Sequence, residues 1–223
     1  MSVTKIDELA KAVVDEAITA SKSAEADIVL VLPPFASPDR PSLGLHILQN
    51  IAQAKGYKTT VLYANLSFAR LIGPLLYRHL CHTPTEDLTG ERLFRLAWLS
   101  VVHFGGGSAP ERWSDLHPST PIFQSLQEQA VVWSEAMARG IAGLDASVIG
   151  FSSTFEQTLS SLSIASRLKK YAPDKTTILG AQTQTMLWEK PSLTSHRRLI
   201  MFSKVRRSQP FSPSWRTEPR MSR

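Results

Sequence analysis

Apolar positions recur at helical spacing from the start of the chain: Ile6, Leu9, Ala10, Val13, Val14 and Ile18 mark one face of a helix over residues 4–23. Residues 27–32 (DIVLVL) change the pattern to an unbroken β-branched run closed by Pro33 and Pro34, the signature of a buried central strand. A loop holding Pro and Ser follows. A helix is predicted over 42–54, stopped by Gly56 as a C-terminal glycine. Residues 59–63 read as a second strand, so 27–64 predicts a strand–helix–strand unit with a parallel pair and a right-handed crossover. Helical periods then dominate, over 66–80, 85–104 and 121–142. Strand signals return at 147–151 and 176–179, around a helix running to about Tyr171. Glu156, three residues after Ser153, reads as the partner in a capping box for that helix.

These elements predict an α/β fold, an open parallel sheet of Rossmann-like type, with a helical insertion over 65–142. The division is an N-terminal helix (1–26), the α/β domain (27–180) and a C-terminal tail (181–223). The insertion is rich in aromatics (Phe68, Phe94, Trp98, Phe104, Trp113, Phe123, Trp133), and such a stripe on helices is more often packing than a ligand box. Ligands of open α/β sheets lie beyond the C-terminal ends of the strands. The loops at 33–44, 64–67, 151–157 and from 180 onward are therefore the ones that could form a site.

Charge sharpens the division. Residues 1–180 hold 16 Lys/Arg and 17 Asp/Glu, whereas residues 181–223 hold 9 and 2, so the net charge of +6 belongs to the last 43 residues. That segment has no Gly and no hydrophobic period, and it is expected to be disordered. A basic tail can hold phosphates non-specifically, so a binding module whose tail engages nucleic acid or an acidic surface is an alternative reading, though nucleic acid is not the favoured partner. No apolar run reaches the ~18 residues of a membrane span, and no basic-then-apolar leader opens the chain. The expectations are no membrane and a cytoplasmic location. The single Cys rules out an intrachain disulfide framework.

The chemistry is sparse. There is no Walker loop, dinucleotide fingerprint, Cys-x-x-Cys, His-Glu-x-x-His or nucleophile elbow. Gly105, Gly106 and Gly107 follow a helix and lack the Lys-Ser/Thr of a phosphate loop. His79 and His82 flank Cys81 at the end of a predicted helix, where a partly exposed terminus is the simpler reading than a metal site. Asp39 and Arg40 suit a local ion pair or a ligand contact. Ser152, Ser153 and Thr154 offer hydroxyl and N–H groups at a helix start, which suits capping and also an amide- or phosphate-bearing ligand. No acid–base pair is visible, which weighs against a stand-alone small-molecule enzyme.

Three stretches, DIVLVLPPFASPDRPSLGL (27–45), VLYANLSFARLIG (61–73) and VIGFSSTFEQTLSSLSIASRLKKYAPDKTTILG (148–180), resemble the N-terminal cobalamin-binding-like domain of radical SAM proteins that mature ribosomally synthesised, bacteriocin-type peptides. TPTEDLTGERLF (83–94) is similar to the helical insertion of that family. The resemblance covers about residues 27–180. It implies a Rossmann-like domain preceding a barrel whose three cysteines hold an iron–sulfur cluster that works with S-adenosylmethionine. Cobalamin, where used, lies over the C-terminal edge of the sheet, and a precursor peptide is the partner. On this reading the cofactor-binding candidates are Pro34, Phe35, Ala36, Asp39, Ser42, Gly44, Ser152, Ser153, Thr154, Gln157 and Gly180. No residue is assigned to a metal and none to catalysis. Cys81 alone cannot hold a cluster, and the Asp-x-His-x-x-Gly motif of other cobalamin proteins is absent. The chain by itself is expected to be catalytically silent.

The resemblance stops at Gly180. With codons chosen from the synonymous sets and one G restored after codon 180, residues 180–193 can be read as GGANTDYAMGEAL in the new frame, and residues 198–207 (RLIMFSKVRR) as IDYVFEGEAE in that same frame. Both match stretches that the family carries, in the family's order. Residues 181–223 are therefore expected to be an out-of-frame translation following the loss of one base.

Overall fold

A computed structural model describes residues 3–101, 120–181 and 199–203. Within them the chain forms helices α1 (Val3–Ser21), α2 (Leu43–Ala54), α3 (Ala64–Ile72), α4 (Pro74–Leu80), α5 (Thr89–Leu99), α6 (Pro121–Ala142) and α7 (Thr158–Tyr171). The strands are β1 (Ile28–Val31), β2 (Thr59–Leu62), β3 (Val148–Ser153), β4 (Thr176–Ala181) and β5 (Leu199–Ser203). They make one sheet in the order β2-β1-β3-β4-β5, every pair parallel. Register follows from the apolar runs, with Val31 opposite Leu62 on one side and Phe151 on the other.

The strand–helix–strand unit forms as its sequence predicts. Gly56, at φ 90°, donates its N–H to Gln53 O (2.9 Å) while Tyr57 N–H reaches Ala52 O (3.1 Å), so a left-handed glycine ends α2 by satisfying two of its last carbonyls. The helix predicted over 66–80 is two helices. Gly73 sits at φ 100°, which a side chain rarely adopts, and Pro74 opens α4.

The two faces of the sheet are unequal. Val29, Val31, Leu62, Ile149, Phe151 and Leu179 bury one face beneath α1 and the helices α3 to α7. α1 is thus integral to this core through Ala10, Val13 and Val14. It crosses α6 closely at Gly140, where a Cβ would stand 2.6 Å from Ile18 Cδ1. The other face carries a small cluster, Leu30, Leu32, Leu45 and Val61, to which α2 is the one helix that contributes among the described residues. α2 has no charged residue, and Leu43 (74%), Ile47 (49%), Leu48 (52%) and Ile51 (55%) stand exposed on its outer side. All-parallel sheets are ordinarily covered on both faces, and by the described residues this face is thinly clothed.

β5 lies inside the segment expected to be a disordered tail, and for Leu199–Ser203 that expectation is corrected. β4 would otherwise present a row of unpaired N–H and C=O groups, and Leu199–Phe202 is the longest apolar run after residue 180. The rest of the tail (182–198 and 204–223) lies outside the described residues, as do Gly105, Gly106, Gly107, Phe104 and Trp113.

Candidate functional site

A sheet in the order 2-1-3-4-5 reverses direction between β1 and β3, and the crevice beyond their C-terminal ends is where such folds take ligands. The loops that follow β1 and β3 meet there, as expected, yet the protein's own side chains fill the crevice. Phe35 is buried, stacked on Tyr77 at 5.3 Å and set against Phe68 and Phe94, each at 6.1 Å. Trp133 completes the cluster against Phe68 and Phe94 and donates its Nε1–H to Ser67 Oγ (3.0 Å). The insertion aromatics Phe68, Phe94, Trp98 and Trp133 are therefore core, as their helical spacing predicts.

The backbone of the first loop is equally occupied. Ser160 Oγ donates to Pro34 O. The Ala36 carbonyl accepts from Tyr77 Oη (2.8 Å), from Asn65 Nδ2 (3.4 Å) and, more weakly, from the Cys81 thiol (3.8 Å). Burial pushes the Cys81 thiol up to about 11 and drives the Tyr77 phenol higher still. His82 turns away to the Arg78 carbonyl (2.7 Å). The residues around Cys81 thus serve helix termini and the loop carbonyl.

The second loop departs from its predicted role. α7 begins at Thr158, later than the capping-box reading requires, because Ser153 stays in β3 and Glu156 adopts a left-handed φ of 62°. Gln157, itself buried, gathers the turn: its Oε1 accepts from Thr154 N–H and from Ser152 Oγ, both at 3.3 Å. Ser153 Oγ contacts Thr158 Oγ1 at 3.4 Å. The anion-favouring start of α7 is taken by Glu91 of α5, whose carboxylate accepts from the N–H of Thr158 (2.9 Å) and of Leu159 (2.7 Å). α7 is thereby capped by a carboxylate from α5. Glu156 lies beside the start of α5, where the N–H groups of Thr89 and Gly90 favour its charged form, but its Oε1 is buried with no hydrogen-bond partner among the described residues. Burial raises the pKa of both carboxylates, against the pull of these N–H groups, and for Glu156 the nearby Glu91 and Asp87 add to the rise.

Gly90 makes the crossing possible. A Cβ there would lie 2.7 Å from Glu156 O and 2.7 Å from Phe35 Cδ2. Sequence reasoning missed Glu91, Glu156 and Gly90 as a unit, although the Thr-Gly-Glu start of α5 was in view within 83–94.

The remaining candidates are spread along the rim. Asp39 pairs with Arg78 (2.6 Å) on the surface. Ser42 caps α2 by accepting from Leu45 N–H (3.4 Å), and Gly44 faces open space. Gly180 is exposed on β4, opposite Ser152. The candidates therefore divide: Pro34, Phe35, Ser153 and Gln157 are buried structural groups, Ala36 has its carbonyl spent, and Asp39, Gly44, Thr154 and Gly180 are exposed.

This geometry does not fit a cobalamin over β1 and β3. α5 and the Phe35 cluster hold that space, and the helix start that would face an anionic group already faces Glu91. Among the described residues no three His, Cys, Asp or Glu side chains gather as a metal site, and no helix is long and apolar enough to cross a membrane. Of the two half-buried carboxylates, Glu91 is committed to helix N–H groups and holds α5 to α7, whereas Glu156 keeps an unpartnered oxygen. No protein-family model, curated protein or solved structure matches this chain.

Proposed function

We propose that this chain is the Rossmann-like, N-terminal cobalamin-binding-like domain of a radical SAM enzyme that modifies a ribosomally synthesised peptide, acting as a scaffold with its cofactor crevice closed and without catalysis of its own. One observation carries the reading. The three separate stretches that bear the resemblance, 27–45, 61–73 and 148–180, are bonded to one another at one place. Asn65 N–H donates to Leu32 O (2.9 Å), its side chain reaches Ala36 O, and Ser160 reaches Pro34 O. Segments that share a family's pattern and also share a site are what a common fold requires. The thinly covered face beside α2 adds support, since a parallel sheet finds its second cover in further polypeptide.

Cluster and S-adenosylmethionine chemistry belong, on this reading, to the intact relative, and the precursor peptide is its substrate. The deciding experiment is to sequence the DNA across codons 178–184 and beyond, and to express the frame-restored protein. A restored frame that encodes a three-cysteine motif, and a product that takes up an iron–sulfur cluster and cleaves S-adenosylmethionine on reduction, is the expected outcome. A closed frame with no such coding overturns the reading. Titration of the present chain with cobalamin is expected to leave the corrin absorbance unchanged.

A further inference from the structure

A cavity of about 450 Å³ opens at the outer edge of the sheet, away from the crevice and independent of the function proposed above. β2 forms its floor, α1 and α3 two walls, and α2 the third. Its size falls within the range of small-molecule sites. Val13, Ala17, Ala20, Val61 and Leu66 make its surface largely aliphatic, and the short Ala17 and Ala20 keep the α1 wall flat.

A chain of hydrogen bonds runs along one end. Thr59 O can only accept, so Gln49 turns its amide NH2 to it (3.0 Å) and presents Oε1 to His46 Nδ1 (2.9 Å). That oxygen can only accept, so Nδ1 is the donor and the ring is assigned the Nδ1–H tautomer. Nε2 is then an acceptor, and Tyr63 Oη donates to it at 2.7 Å. The hydroxyl hydrogen of Tyr63 is spent, and its lone pairs remain. Thr60 Oγ1 is in the same condition, its hydrogen given to Ser21 O (2.6 Å). Glu16 and Arg70, at the rim, neutralise each other as an ion pair. Ser67 accepts from Trp133 (3.0 Å). The cavity therefore offers an apolar body, balanced charges at its rim, the Ser67 hydroxyl, and, at Tyr63 and Thr60, two hydroxyl oxygens able to accept.

We propose that this cavity binds an uncharged aromatic ring bearing a single N–H or O–H donor, of the indole or phenol class, with Tyr63 and Thr60 accepting the donor and the aliphatic walls holding the ring. The ring arrives either as a free small molecule or as a Trp or Tyr side chain on a peptide. The test is amide-resolved NMR of the full chain titrated with indole and N-methylindole, which have nearly the same apolar body but differ in the donor. Indole is expected to shift the amides of Ala17, Thr60, Tyr63 and Leu66, and N-methylindole to bind at least about fivefold more weakly, the order of discrimination one hydrogen bond supports. Tyr63→Phe is expected to narrow that difference, and Tyr63→Phe with Thr60→Val to erase it. Ala20→Leu, an exposed position on α1, fills the cavity, leaves the hydrogen-bond chain intact, and is expected to abolish shifts from both ligands. An unshifted spectrum at millimolar indole overturns the proposal, as does equal binding of the two indoles. N-acetyl-tryptophanamide and a Trp-containing pentapeptide separate the sources: binding tighter than indole at the same amides assigns the ring to a peptide, and exclusion of the peptide with retention of indole assigns it to a free molecule.

Discussion

Replacing Glu91 by Ala tests whether the carboxylate that α5 lends to the start of α7 holds the insertion to the sheet. The substitution strands two N–H donors, of Thr158 and Leu159, that the carboxylate serves at 2.9 and 2.7 Å. A buried donor left unsatisfied costs about 1–3 kcal/mol, so two give about 2–6 kcal/mol. The site is half-buried and water reaches part of it. Burying the charge has itself a cost, visible in the raised Glu91 pKa. Both effects place the expected loss near the lower end, at about 2 kcal/mol. Glu91→Gln keeps one accepting oxygen and loses about half as much.

The assay is urea unfolding followed by tryptophan fluorescence. With a slope of roughly 2–3 kcal/mol per molar urea for a chain of this size, the Ala variant's midpoint falls by about 1 M at unchanged slope. pH supplies an independent check. Because burial raises the Glu91 pKa, the folded protein binds this proton more tightly than the unfolded chain does. The stability this group contributes is complete below the ordinary carboxylate range and declines as pH climbs through the raised value. The wild type is expected to lose stability across mildly acidic pH, and Glu91→Gln to lose less, since it removes its own contribution and part of the rise at Glu156. An Ala variant as stable as the wild type at neutral pH would refute the capping argument.

Arg167, 2% exposed, donates to Ala97 O (2.7 Å), Ser163 O (3.0 Å) and Ser100 Oγ (2.7 Å), and pairs with Glu135 at 3.3 Å; Arg167→Ala is expected to cost about 3–5 kcal/mol in the same urea assay, whereas an effect below about 1 kcal/mol would contradict a structural role. Gly90→Ala forces a methyl into contact with the Glu156 backbone and is expected to lower the thermal midpoint, by an overpacking cost of about 1–3 kcal/mol. Cys81, with its thiol pushed up to about 11, is expected to resist alkylation by iodoacetamide at pH 8 in the folded protein and to react once urea unfolds it. Ile47→Lys with Ile51→Lys, at positions about half exposed on α2, is expected to reduce light scattering while changing stability by under about 1 kcal/mol.

How far the sequence discloses this molecule depends on the range of the interaction. Strands β1 to β4 and helix α6 follow from apolar runs and periods, which are local signals, and the end of α2 follows from one glycine. Local signals mislead where distant groups compete. Ser153 and Glu156 have the spacing of a capping box, but Ser153 is held in β3 by pairing with β4, Glu156 takes a left-handed backbone, and the cap of α7 comes from Glu91, more than sixty residues away in the chain. Phe35 in a loop after a central strand has the address of a ligand contact, yet the insertion brings Phe68, Tyr77 and Phe94 around it. The break at Gly73 and Pro74 was written in the sequence and was overridden by the helical period on either side. β5 is not legible from charge and composition, which describe a segment as a whole, whereas an open sheet edge asks for only a few apolar residues.

The uneven clothing of the sheet has a thermodynamic consequence. Any contact made through the outer side of α2 would bury aliphatic carbon and no formal charge. Its driving force near room temperature is then chiefly entropic, with a negative heat-capacity change on association. Such a contact loosens on cooling, tightens with sulfate, which is excluded from apolar surface, and is nearly indifferent to the screening that dissolves ionic contacts. A solution of this protein would therefore be clearer in the cold than at bench temperature, with chilling rather than added sodium chloride as the means of keeping its molecules apart.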